Sequence, residues 1–219
     1  MSLTKMDCKI VSWREIDTLC GKLAKQIEDS GFKPEAIIAL ARSGFIPARI
    51  LSDRLGVTYL VSLKVEHWLD TTGQHRDEAT IPYQIPFQVE GRSVLMVDDI
   101  VDTGKSMKVS AEYVQRFNPK ELKTAVMQYI TRSIFKPDYY IKTVDGWVWF
   151  VYPWNYVEDL CNLTLKLINS GKQYRTVSEV RDAMKEYYQL KLKDESVEEI
   201  LRTLENRGKL PPASILKPA

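Results

Sequence analysis

The chain is poor in cysteine, nearly neutral and without long apolar runs, and each lack excludes a class of function. Its three cysteines, Cys8, Cys20 and Cys161, are widely separated and form no Cys-x-x-Cys pair. That spacing argues against a disulfide framework or a zinc site and fits reduced residues of a cytoplasmic protein. A formal net charge of +2 over 219 residues supplies no field for gripping nucleic acid. No apolar run is long enough to span a bilayer and no leader pattern is visible, so no membrane association is expected. What is present, 44% hydrophobic and 27% charged residues, is ordinary for a globular protein with a real core. The length suits one α/β domain with an appendage.

The most informative stretch runs from Val94 to Ser106. Val94-Leu95-Met96-Val97 reads as a buried strand, followed by the acids Asp98 and Asp99 and a short loop ending in Asp102-Thr103-Gly104-Lys105-Ser106. A helical pattern then runs from about Met107 to Phe117 and stops at Asn118-Pro119. A strand that delivers a small polar loop to a helix N-terminus presents free N–H groups and the helix dipole to one phosphate. Gly104 permits close approach, while Thr103 and Ser106 add hydroxyl donors. Adjacent carboxylates are hard oxygen ligands, suited to the vicinal hydroxyls of a ribose or to water on Mg²⁺. Diol and phosphate side by side describe a ribose-5-phosphate group. The spacing is not that of a Walker A loop.

Upstream, Ser12 to Ser30 reads as an amphipathic helix with Ser12 as N-cap and Glu15 three positions on. Ala36 to Leu40 is a short, wholly apolar strand, as in a parallel sheet covered on both faces. It leads through Arg42-Ser43-Gly44 into a helix ending near Leu55, a second phosphate site in outline. A third strand covers about Tyr59 to Lys64, and Glu66 to Gln88 reads as a long polar loop. Thr124 to Ile130 is the next buried strand, the chain turns at Lys136-Pro137-Asp138-Tyr139-Tyr140, and Trp147 to Asn155 is aromatic-rich.

The whole of Val94 to Ser106 resembles the 5-phosphoribosyl-1-pyrophosphate (PRPP) motif of the type I phosphoribosyltransferases, and the resemblance covers about residues 8–168. It implies an α/β fold, a doubly wound, mostly parallel sheet with a small hood from about 1–32 and 136–165. Asp98 and Asp99 would then hold the ribose and, largely through water and PRPP, Mg²⁺ as cofactor. Residues Asp102, Thr103, Gly104, Lys105 and Ser106 would hold the 5-phosphate. Arg42, Ser43, Gly44 and Lys64 would meet the pyrophosphate, and the Arg42 loop is a place for a cis peptide. The 66–88 loop would close over PRPP, with Arg76 and His75 as candidates to reach it.

The Asp102 ending looks like the 6-oxopurine branch, in which that acid faces N7 of the base and acts as general base. Ile100, Trp149 and Phe150 would pack on the purine ring. The branch has a lysine where Ile130 stands here, so Arg132, with Lys136 in reserve, is the candidate donor to the exocyclic O6. An acid of the family is replaced by Asn155, which weakens a second metal contact unless Glu158 or Asp159 substitutes. The implied reaction joins PRPP to N9 of guanine, hypoxanthine or xanthine. A homodimer or higher homo-oligomer is the expected assembly. A sensor that keeps the PRPP fold without the chemistry, and an enzyme for another nucleobase, are the rivals.

Beyond Gly171 the character changes. Thr176 to Leu192 and Ser196 to Arg207 read as two amphipathic helices, capped by Ser178 and Ser196. They set a helical extension (171–219) apart from the transferase domain (1–170). Acids and bases nearly balance in this tail, so no basic stripe offers itself to nucleic acid.

Overall fold

A computed structural model describes residues 4–68 and 75–211. The chain forms two compact units. The larger runs over Ser12–Leu69 and His75–Trp147; the smaller takes the described parts of Met1–Val11 and Val148–Ala219.

The larger unit opens with α1 (Trp13–Asp29), whose N-cap Ser12 accepts from the Glu15 N–H at 3.2 Å, as the spacing predicts. It continues through β2 (Ala36–Ala41), α2 (Phe45–Leu55), β3 (Leu60–Lys64), β4 (Glu66–Trp68), β5 (His75–Thr80), β6 (Ser93–Val101), α3 (Lys105–Gln115), β7 (Glu121–Ile130) and β8 (Tyr139–Val144), where β1 is reserved for Cys8–Ile10 of the smaller unit. Five of these strands form one parallel sheet in the order β3-β2-β6-β7-β8. The β2 and β6 side chains alternate between its faces. Ile37, Ala39, Leu95 and Val97 pack under α1 and α2, with Leu23, Ile27, Ala48 and Leu51. Ile38, Leu40, Val94 and Met96 pack on the opposite face under α3, with Met107 and Val114. The helices thus cover both faces, which is why these strands read as continuous apolar runs.

The connections leave β2 towards β3 on one side and β6 towards β7 on the other. The strand order therefore reverses between β2 and β6, where open α/β sheets place their ligands.

Two segments differ from the sequence reading. Residues Glu66–Trp68 and His75–Thr80 are an antiparallel hairpin rather than irregular loop, pairing Glu66 with Thr80 and Trp68 with His75. Tyr139 and Tyr140, expected in the turn that starts at Lys136, instead open β8, because Asp138 fastens the segment to β7. Its Oδ2 accepts from the Thr124 N–H and hydroxyl, both at 2.8 Å. As a result α1 and β8, which the sequence assigns to the hood, pack within the α/β unit.

In the smaller unit, β1 pairs in parallel with β9 (Trp149–Val151), and α4 (Tyr156–Ile168), α5 (Val177–Tyr188) and α6 (Asp194–Asn206) follow. Cys8, Val151, Leu160, Leu163, Val180, Met184, Tyr188, Ile200 and Leu204 share its core. The caps are not the serines that the pattern suggests. Thr176 caps α5 in a reciprocal box with Glu179, leaving Ser178 inside the first turn. Lys193 caps α6 without a side-chain bond, and Asp194 and Glu195 place acids at that helix's positive end. Among the described residues no helix is long and apolar enough to cross a membrane.

Leu95 is 0% exposed at the centre of the sheet, whereas Trp13 is 57% exposed. Leu95→Ala should lower stability by about 2–5 kcal/mol and Trp13→Ala by no more than about 0.5 kcal/mol. Denaturant titration followed by far-UV circular dichroism checks both; equal losses would contradict the burial described.

Candidate active site

The site is assembled at the carboxyl edge of the parallel sheet. β6 carries Asp98, Asp99 and Ile100 to this edge, and the loop 102–104 hands the chain to α3. Gly104 takes φ +84° at the helix N-cap. A Cβ there would lie 2.3 Å from Ser133 Oγ and 2.7 Å from Phe135 N, so only glycine fits. The loop after β7 is the partner in that contact. Ile134 N–H donates to the Thr103 carbonyl at 3.1 Å, while Ser133 Oγ and the Phe135 backbone bond each other. The first turn of α3 opens with the Lys105 N–H near Thr103 Oγ1 at 3.4 Å, and Thr103, Lys105 and Ser106 are half-buried. An anion at this turn would meet backbone N–H groups and the positive helix end.

The loop after β2 lies against the same strand. Gly44 sits so close to β6 that a Cβ would be 2.6 Å from the Val97 carbonyl oxygen and 2.8 Å from Asp98 Cα. The Ala41–Arg42 peptide is cis, Arg42 is exposed and Ser43 half-buried. The β2–β3 register sets Lys64 directly opposite Ala41, so the pairing itself brings this cation beside the Arg42 loop.

The acid pair is held by its own backbone. Asp98 Oδ1 accepts from the Asp99 N–H at 2.9 Å, and Asp99 Oδ1 from the Ile100 N–H at 2.8 Å. Burial pushes the Asp98 carboxyl well above the usual carboxylate range, and the charge of Asp99 adds to the rise. Burial also raises Asp99, to about 6, against hydrogen bonds from Asp98, the backbone and the Ser43 hydroxyl that favour its ionised form. Two carboxylates in this setting resist ionising together, and a divalent cation nearby would relieve them. Among the described residues no group of three or more His, Cys, Asp or Glu side chains is arranged to hold a metal. The donor set therefore fits an ion such as Mg²⁺ that draws most of its oxygens from substrate and water, not one held in a protein cage.

Asp102 and Arg132 come together. Arg132 Nη2 stands 3.6 Å from Asp102 Oδ1, with the carboxylate side chain 14% exposed and the guanidinium 58% exposed. An inward acid is thus paired with a cation open to solvent. Lys136 is exposed.

The remaining expected residues belong to the smaller unit. Trp149 and Phe150 lie on β9, opposite Cys8 and Lys9, and both are half-buried. Phe150, Tyr152 and Trp154 form a short stack, Tyr152 and Trp154 being nearly parallel at 4.8 Å. Asn155 caps α4, with Glu158 half-buried in the first turn. Asp159, in the same first turn, is 0% exposed. The side chains of His75 and Arg76, and residues 69–74 between the hairpin strands, lie outside the described residues.

Sequence reasoning missed Ser133, Ile134 and Phe135 as the seat of the loop 102–104. Gly104 was the only signal of a close partner, and it does not say which segment approaches.

Comparison with known proteins agrees with this geometry. Residues 9–159 match the phosphoribosyl transferase domain. The xanthine-guanine phosphoribosyltransferase of Idiomarina loihiensis is 28% identical over 157 residues, covering 68% of this chain and 91% of that protein. The corresponding protein of Chromohalobacter salexigens is 27% identical over 160 residues, covering 68% and 88%. Among solved structures, the purine phosphoribosyltransferase of Pyrococcus horikoshii superimposes with a TM-score of 0.58 at 32% identity, covering 68% of this chain and 94% of that one. The xanthine-guanine-hypoxanthine phosphoribosyltransferase of Helicobacter pylori gives 0.55 at 25% identity, covering 71% and 97%. With its matched region spanning both sheet-edge loops and the acid pair between them, the chain belongs to the phosphoribosyl transferase domain family and is a phosphoribosyltransferase.

Proposed function

We propose that the protein transfers the 5-phosphoribosyl group of PRPP to N9 of a 6-oxopurine (guanine, hypoxanthine or xanthine), releasing pyrophosphate, in purine salvage. The observation that carries this reading is the Asp102–Arg132 pair, a carboxylate acceptor and a planar donor 3.6 Å apart. N7 and O6 are neighbours on one edge of a 6-oxopurine. Asp102 accepts from N7–H and takes that proton as N9 attacks C1 of the ribose, while Arg132 donates to O6. Asp98 and Asp99 bind the ribose diol, and the loop from Asp102 to Ser106 binds the 5-phosphate through N–H groups and hydroxyls. Arg42, Ser43, Gly44 and Lys64 orient the pyrophosphate and offset its growing charge. Asp98 and Asp99 would hold Mg²⁺ largely through water and PRPP, and the ion would supply the remaining neutralisation of the leaving group. The packing of Ile100 on the base, the stacking by Trp149 and Phe150, the Asn155 contact, homo-oligomeric assembly and cytoplasmic residence rest on the family resemblance.

A second reading has adenine as the acceptor. Ile130, 1% exposed, ends β7 with no donor side chain, and the guanidinium that would serve O6 is engaged by Asp102. A product assay with PRPP, Mg²⁺ and each of guanine, hypoxanthine, xanthine and adenine separates the two. Turnover with a 6-oxopurine is expected, and turnover with adenine alone would reverse the assignment.

Asp102→Asn should lower kcat by about 10²–10⁴-fold with PRPP affinity essentially unchanged; a loss of PRPP affinity instead would remove Asp102 from the proton step. Gly104→Ala must both strain a positive φ and push Ser133 and Phe135 away. It should weaken PRPP binding by about ten- to a hundredfold, read by calorimetric titration; wild-type affinity would show that the phosphate is not bound at this loop.

A further inference from the structure

We propose that the C-terminal helices hold the aromatic strand β9 in place, with Gln189 and Asp7 as positioning residues for base binding. The inference rests on the reading that Trp149 and Phe150 stack on the acceptor base.

The family match ends at Asp159, so α5 and α6 are an addition to the common domain. They are not separate from its final strands. β1 and β9 pair over only three residues each, Cys8–Ile10 with Trp149–Val151, too little for a two-stranded ribbon to stand alone. Cys8 and Val151 lie in one core with Val180, Met184, Tyr188 and Ile200 of the added helices.

The polar clamp is more specific. α5 ends at Tyr188, and Gln189 takes φ +57°, a left-handed conformation unusual outside glycine. That turn aims two groups at the segment before β1. The Tyr187 carbonyl accepts from the Met6 N–H at 2.9 Å, and the Gln189 amide Nε2 donates to Asp7 Oδ1. The Asp7 carbonyl in turn accepts from the Trp149 N–H at 2.8 Å. A single residue, Asp7, thus joins the end of α5 to the backbone of the tryptophan. Leu190, 2% exposed, anchors the turn in the core of the smaller unit.

The test uses the full-length enzyme and separates KM for the base from KM for PRPP. Gln189→Ala should raise the base KM by about three- to tenfold, the effect of one lost hydrogen bond, with KM for PRPP unchanged. Asp7→Asn keeps the Oδ1 acceptor and should remain near wild type, whereas Asp7→Ala should behave like Gln189→Ala. Trp149→Ala, measured alongside, tests the stacking itself. If Trp149→Ala raises the base KM and Gln189→Ala does not, the clamp is refuted while stacking stands. If Trp149→Ala leaves the base KM unchanged, the stacking reading fails and the inference with it. A rise in both KM values in Gln189→Ala, with a lowered Tm, would make Gln189 merely structural and also overturn the proposal.

Discussion

The site depends on close approach of neighbouring loops at two glycines. Gly44 lies against Val97 and Asp98 where a Cβ would be 2.6–2.8 Å from main-chain atoms, and Gly104 lies equally tightly against Ser133 and Phe135. Through these contacts the loops after β2, β6 and β7 form one layer along the carboxyl edge of the sheet. The hydrogen bond from Ile134 to the Thr103 carbonyl closes the same layer. Because the loops sit on parallel strands in fixed register, their donors are placed by the sheet, with little reorganisation left for the moment of reaction.

The electrostatics follow from that layer. Asp98 and Asp99 are carried into a region where burial opposes their charge, with Ser43 and backbone N–H groups favouring ionisation of Asp99. The same edge carries Arg42 just after β2, Lys64 at the end of β3, Lys105 at the start of α3 and Arg132 after β7. An edge with two costly carboxylates and several cations suits a ligand that is itself strongly anionic and arrives with a divalent cation. It suits a neutral ligand poorly, because the acid pair would stay uncompensated.

The parts legible in the sequence were those set by local chemistry. The apolar runs of β2 and β6, the Ser12 cap and the loop from Asp102 to Ser106 each announce themselves through residues adjacent in the chain. What escaped was set by distant partners. β8 follows a turn whose fastening to β7 is made by Asp138 and Thr124, fourteen positions apart. The hairpin β4–β5 contains Glu66, His75 and Asp77, residues with no strong strand pattern, and is set by the pairing of Glu66 with Thr80 and Trp68 with His75. In the tail the pattern located both helices but missed their caps. Thr176 and Ser178 are both good N-cap residues, and only Thr176 has Glu179 three positions on to close the box.

The same distinction bears on the added helices. Amphipathic periodicity tells that α5 and α6 bury a face, but not against what. The structure supplies the surface: a ribbon of three residues per strand whose inner side chains, Cys8 and Val151, have their core completed by residues from 177 onward. Such a ribbon has too few ladder bonds to fix its own register, and a slip by one residue would turn Trp149 to the opposite face. A helix that ends in a left-handed glutamine and bonds both Met6 and Asp7 supplies the missing constraint at the residues adjoining the ribbon. In this chain the extension and the strand that bears the tryptophan form a single structural unit.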